Sequence, residues 1–234
     1  MSNILILCFL LAVALIVVSL INQAQERQRI RRLKQHRLRL QVSNLESVIS
    51  CLEQTIPNRM IAKQVNDEIL TLLQNILALE NGNTEHIETS LRNVEARGEE
   101  LTSARNRPQT SYQKESDVQI AQTHLYINEA ARVLRHRASQ ARMTEEERDI
   151  YLSELAWAYL MVSAISFIGQ GHKATARGDG FSAHAFYQKA QHLLMESTHQ
   201  EPKRMRMIKE MGEVLAGNRE KLSLDLMPEE KTNV

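Results

Sequence analysis

Apolar residues run without interruption through positions 4–21, ILILCFLLAVALIVVSLI, and thereafter recur at the three-and-four spacing of helices. The first run contains no charge, proline or glycine. A helix needs roughly 20 such residues to cross a hydrocarbon core about 30 Å thick with every backbone group bonded internally. Positions 1–22 are therefore expected to form a transmembrane anchor. A cleaved secretory signal fits less well, because only Met-Ser-Asn stands where a basic leader segment belongs, and a strongly basic segment follows the run. Cys8 reads as a small apolar side chain within the anchor.

Beyond the anchor, Leu38, Val42, Leu45, Ile49, Leu52 and Ile56 alternate spacings of four and three on a helix that runs from Gln23 until Pro57 stops it. The rhythm fails upstream at Gln35 and Arg31, so the seam is short. It is read as one side of an antiparallel hairpin, with self-association into a coiled-coil homodimer as the alternative. The partner helix, Arg59 to Glu80, places Ile61, Val65, Ile69, Leu72, Ile76 and Leu79 on one face, and Asn81-Gly82 is expected to end it through a left-handed glycine. A third helix, capped by Asn83 or Thr84, presents Ile87, Leu91, Val94 and Leu101. Residues 102–116, TSARNRPQTSYQKES, carry a proline and little to bury, which reads as a linker.

The second half opens with a helix over Asp117 to Arg142, seamed by Ile120, Ile127, Ala131, Leu134, Ala138 and Ala141, with His124 at the missing position. Thr144-Glu145-Glu146-Glu147 matches a capping box. The helix it starts includes 155–168, LAWAYLMVSAISFI, apolar nearly all round. Fourteen residues are too few for a second membrane span, so this stretch is expected to be the buried central helix of a bundle. Pro202 begins a last helix with Met205, Ile208, Met211 and Leu215 turned inward, Gly217-Asn218 ends it, and 218–234 read as a flexible tail. The organisation expected is an anchor at 1–22, a basic and hairpin region at 23–101, a linker at 102–116, a helical domain at 117–217 and the tail.

Composition supports an all-α fold, with 8 glycines, 4 prolines and 4% aromatics in 234 residues. The formal charge of +1 hides an asymmetry: Arg27, Arg29, Arg31, Arg32, Lys34, Arg37 and Arg39 against Glu26 give residues 22–41 a net +6, leaving −5 elsewhere. Basic clusters beside a span stay on the cytoplasmic side, which sets the N-terminus outside and nearly everything else in the cytoplasm. Cys51 is the sole cysteine after the anchor, in keeping with a reducing compartment. The collar is expected to contact anionic lipid headgroups at about 1 kcal/mol per basic side chain. Nucleic acid is not expected as a partner, because no aromatics interleave the basic residues.

One segment carries a family resemblance. Gly178-Asp179 forms a turn signal, Ala183, Tyr187 and Ala190 follow at small, aromatic and small positions, and Phe167 and Gly171 precede it at matching places. Residues 164–197 thereby resemble one tetratricopeptide repeat, departing from it at Gln170, Ala174 and the late Pro202. The resemblance implies a TPR-like helical hairpin that binds a protein or peptide, with Ile168, His172, Lys173, Thr175 and Arg177 as the contact residues.

Catalytic signatures are missing: the chain has no phosphate-binding glycine loop, nucleophile elbow, HExxH or CxxC. His184, His192, Glu196 and His199 supply one Glu-x-x-His where a di-iron bundle needs two, so they read as surface residues. No cofactor or metal is expected, and the chain is not expected to be an enzyme. The function expected is that of a single-pass, membrane-anchored cytoplasmic adaptor or scaffold. The alternatives are a structural subunit of a larger membrane complex, or an enzyme or metal protein whose site is dispersed in sequence.

Overall fold

A computed structural model describes residues 2–80, 82–103, 110–223 and 225–227, with the side chains of 2–18, 20, 21 and 24 outside that description. The described chain is all-helical: α1 Ser2–Thr55, α2 Arg59–Leu79, α3 Glu85–Thr102, α4 Asp117–Ser139, α5 Glu145–Ala176, α6 Gly180–Glu196 and α7 Pro202–Leu215. The expected anchor occupies the start of α1, where side chains lie outside the description. Among the described residues one helix, α5, is long and apolar enough to cross a membrane, and 67% of its apolar window is buried within the protein. That burial fits the expectation of a central core helix.

Pro57 ends α1 because it has no amide hydrogen and disfavours helical geometry at Ile56. Asn58 then starts α2, its Oδ1 accepting the Met60 amide at 3.0 Å while its Nδ2 donates to Glu154 on α5 at 2.7 Å. The α1 seam from Val42 to Ile56 is buried within one chain, against α2 and α4. These side chains pack in the intramolecular hairpin. α2 leaves through Glu80 in an extended conformation, so the left-handed glycine expected at Gly82 is not used.

Two expected boundaries look different once side chains are placed. Residues 104–109 of the expected linker lie outside the described residues, but 110–116 are held against both halves. The Ser111 amide donates to Gln54 O at 2.9 Å, the Lys114 amide to Ser166 Oγ at 2.8 Å, and Lys114 Nζ to Thr55 Oγ1 at 3.3 Å. This polar stretch buries little apolar area and is fixed instead by hydrogen bonds, which hydrophobic patterning does not register. Of the expected flexible tail, residues 218–223 and 225–227 are likewise docked, with Leu222, Leu226 and Met227 buried. Glu210 clasps it: the carboxylate accepts the Ser223 amide at 2.8 Å and pairs with Arg219 at 2.8 Å. Residues 228–234 lie outside the description. One contiguous core, from Val42 to Met227, spans both halves.

Three helices end in the same way. In α5, Gly178 is left-handed and the Asp179 amide returns to Ala174 O; in α7, Gly217 is left-handed and Asn218 returns to Glu213 O. In α4 the left-handed residue is Ala141, φ 56°, with the Arg142 amide returning to Arg137 O at 3.0 Å. The helix expected to reach Arg142 therefore stops at Ser139, and Ala141 leaves the seam assigned to it. An L-residue in this conformation costs about 1–2 kcal/mol, which glycine avoids. Ala141→Gly should raise stability by about 0.5–1 kcal/mol, read as a higher urea midpoint at unchanged slope.

Candidate functional site

The hairpin of α5 and α6 turns on Gly178 and Asp179, whose carboxylate accepts the Ser182 amide at 3.0 Å and so caps α6. The hydrogen bond from Ser182 holds that carboxyl below its ordinary range, with Arg177 adding to the effect. The two helices come together where Gly171 faces the ring of Tyr187. A Cβ at Gly171 would lie 2.7 Å from Tyr187 Cδ1, so the ring occupies the space that any larger residue would need. Tyr187 OH lies 3.3 Å from Thr175 Oγ1, and His172 meets the same ring edge-on at 5.7 Å between centroids. Ala174, Ala183 and Ala190 are buried along the junction, and Lys189 Nζ sits 3.9 Å over the Phe167 ring.

These positions separate the residues expected to bind a partner. Ile168 has 0% exposure and belongs to the core, so it offers no surface to a ligand. Helical spacing had aligned it with His172 and Thr175, but nearly the whole circumference of α5 at this level is covered by neighbouring elements. Lys173, Thr175 and Arg177 are exposed and His172 is half-buried. Lys173 pairs with Glu115 at 3.7 Å, which ties this edge to the strap before α4.

The collar residues Arg27, Arg29, Arg31, Arg32, Lys34, Arg37 and Arg39 are all exposed on α1. Where the rod meets the bundle, Gln35 Nε2 donates to Glu80 at 3.2 Å and Arg39 pairs with it at 3.8 Å. Immediately beyond, a cleft of about 470 Å³ opens between α1 and α4 over α2, lined by Leu40, Asn44, Leu45, Leu72, Val133 and His136, among others.

Below that cleft lies an ion-pair cluster that sequence reasoning missed. Arg137, only 6% exposed, donates from Nε to Gln64 Oε1 at 3.0 Å and sets its two Nη groups 3.7 Å from Glu68 and 3.5 Å from Asp67. Nothing in the pattern flagged it, since 28 carboxylates and 29 basic side chains bring opposite charges to helical neighbours everywhere.

Several other chemistry-bearing side chains have structural partners. His124, at the gap in the α4 seam, stacks on Tyr159 at 3.6 Å and lies 3.1 Å from Tyr159 O and from Ser163 Oγ. Burial pushes its pKa down despite the bond to Tyr159 O, favouring the neutral ring. Burial pushes the Cys51 thiol up, away from the nucleophilic thiolate. His192 pairs with Glu196 at 3.2 Å on an exposed face, while His199 packs on Trp157 and contacts Ser153. Among the described residues no three His, Cys, Asp or Glu side chains converge to hold a metal ion. No protein-family model, curated protein or solved structure matches this chain.

Proposed function

We propose that the chain is a membrane-anchored helical scaffold that presents its bundle to a protein partner on the cytoplasmic side. The observation that carries this reading is the continuity of α1. One unbroken helix from Ser2 to Thr55 joins the apolar run at 4–21, the exposed basic collar and the seam that nucleates the bundle core at Val42. At 1.5 Å per residue, the stretch from Ile21 to Val42 is a rod of about 32 Å, so the bundle would stand off the bilayer at a fixed distance. The collar is too charged to enter hydrocarbon, and its first residues, Arg27 and Arg29, stand nearest the anionic headgroups.

In this reading the exposed edge of the TPR-like α5–α6 hairpin, with His172, Lys173, Thr175 and Arg177, is a partner surface. Support comes from the resemblance of residues 164–197 and from the Gly171–Tyr187 junction, which fixes the two helices relative to each other.

The test is made on whole cells. The chain should stay in membranes washed with alkaline carbonate, and a reporter fused after Val234 should read as cytoplasmic. Replacing the seven collar residues by Gln should give mixed orientation or poor insertion. Release by carbonate, or a reporter outside the membrane, would remove the reading. Proteins co-purifying with the native chain should be lost from Lys173→Glu with its melting temperature within about a degree, since exposed substitutions shift stability by less than about 0.5 kcal/mol.

A further inference from the structure

Ile30, Leu33 and Leu40 are 56%, 54% and 58% exposed, an unusual concentration of large apolar side chains in so basic a stretch. With Arg37, Gln41 and Asn44 they recur at spacings of three and four, which sets them on one face of α1. That face runs directly into the cleft floored by Leu45, Leu72 and Val133, and Leu40 belongs to both. Three helices, α1, α2 and α4, thus leave the fourth side of a bundle open; its cleft end carries Glu68, Glu129, Arg132 and His136, with Arg132 paired to Glu129 and His136 3.9 Å from Glu68, while Arg29, Lys34 and Arg37 flank the α1 stripe.

We infer that this open side receives an amphipathic helix of a partner protein, apolar on the face laid into the cleft and acidic on the flank next to the collar. Helix-in-groove recognition uses anchors at three-and-four spacing, which the stripe and cleft supply. The charge selects among occupants. A second copy of this chain would bring its own net +6 segment against the same segment, and like charges placed together cost several kcal/mol. An acidic flank meets Arg29, Lys34 and Arg37 beside the stripe in a segment of net +6, which favours it and speeds encounter. Lipid is excluded by distance, a step that rests on the anchor reading. Leu40 lies 19 residues past Ile21, a rise of about 28 Å, whereas the headgroup layer of one leaflet is about 6 Å thick. The inference names the partner chemistry for the proposed scaffold and a docking surface separate from the α5–α6 hairpin.

The experiment uses the full chain in phosphatidylcholine nanodiscs and two labelled helical peptides of about 20 residues. Both carry Leu at heptad a and d positions; one has Glu and the other Lys at the flanking positions. The Glu peptide should bind, the Lys peptide should bind at least tenfold more weakly, and added salt should narrow the gap. Leu40→Glu and Leu33→Glu, both at exposed positions that leave the core intact, should each weaken the Glu peptide at least tenfold, about 1.4 kcal/mol. Equal binding of the two peptides, or binding indifferent to Leu40→Glu, would overturn the inference. So would a stable dimer in the nanodiscs that excludes the Glu peptide, which would make a second copy the occupant. If the chain does not enter nanodiscs, the anchor reading falls, and the same titration in detergent micelles decides the groove by itself.

Discussion

Arg137→Met is expected to destabilise the protein by about 3–5 kcal/mol, because it strands the Glu68 carboxylate inside the junction between α2 and α4. Glu68 is as buried as Arg137, with side-chain exposures of 9% and 8%, and its Oε2 accepts no hydrogen bond from a described residue. Charge attraction to Arg137 at 3.7 Å is the main compensation for its loss of water, with His136 Nε2 3.9 Å from its Oε1. Asp67, at 31% exposure, keeps part of its hydration and loses little when the guanidinium is removed. The companion substitution separates the cost of a stranded charge from the worth of the pair. Arg137→Met with Glu68→Leu fills similar volume with apolar atoms and should recover most of the loss, or exceed the parent, as buried pairs replaced by hydrophobes often do. Urea unfolding of the full chain at fixed detergent concentration measures both. If the double variant is as unstable as Arg137→Met, the guanidinium acts through its packing and its bond to Gln64, and the charge argument fails.

This cluster also locates where sequence reasoning stopped. One helix start written in side-chain chemistry was legible: Thr144 and Glu147 form the reciprocal capping bonds their spacing implies. Left-handed helix ends were legible at Gly178 and Gly217, wrongly signalled by Gly82, and illegible at Ala141, which makes the same turn with no residue-type signal. Seams were legible when one stripe stood alone, as from Val42 to Ile56. In α7 two stripes compete, Met205-Ile208-Met211-Leu215 and Met207-Met211-Val214, sharing Met211. The second is buried and Met205 is 60% exposed, so the inward register assigned to Met205 was wrong. Local periodicity is nearly indifferent between the stripes, and tertiary packing of α7 settles the choice.

The candidate sites divide along the same line. The basic collar is a property of composition and is visible in the sequence. The cleft beside it lies where α1, α2 and α4 meet, a relation between segments distant in sequence that no local pattern encodes. The strap at 110–116 shows no apolar stripe because amides and hydroxyls bind it to the body, and in the docked tail Leu222, Leu226 and Met227 are too few to form a stripe beside the bonds from Glu210. For the same reason Ile168 was misjudged as a contact: its helix face is apolar like its neighbours, and the elements covering it are distant in sequence.

The Gly171–Tyr187 junction yields the second large effect. Gly171→Ala adds a methyl where the Tyr187 ring already stands, with ring atoms 2.7 and 2.9 Å from the new Cβ, so the ring must leave its place or the helices must part. Overpacking of this kind costs about 1–3 kcal/mol, partly offset by roughly 1 kcal/mol from alanine's higher helix propensity. Tyr187→Ala leaves a void at a 7% exposed site and breaks the contact with Thr175, for about 3–5 kcal/mol. The combination discriminates between two origins of these losses. If ring and glycine are complementary shapes, Gly171→Ala in the Tyr187→Ala background meets no ring, keeps its propensity gain and should be neutral or stabilising. The coupling between the two changes should then be about 1–3 kcal/mol, favourable to the pair. Tyr187→Phe keeps the ring and loses only the hydroxyl contact, so it should cost about 1 kcal/mol and leave the Gly171→Ala penalty in place. Additive losses in the double variant would mean that α5 and α6 are held by the surrounding alanines and Leu194, with the ring a passenger, and the fixed geometry attributed to this hairpin would need another source.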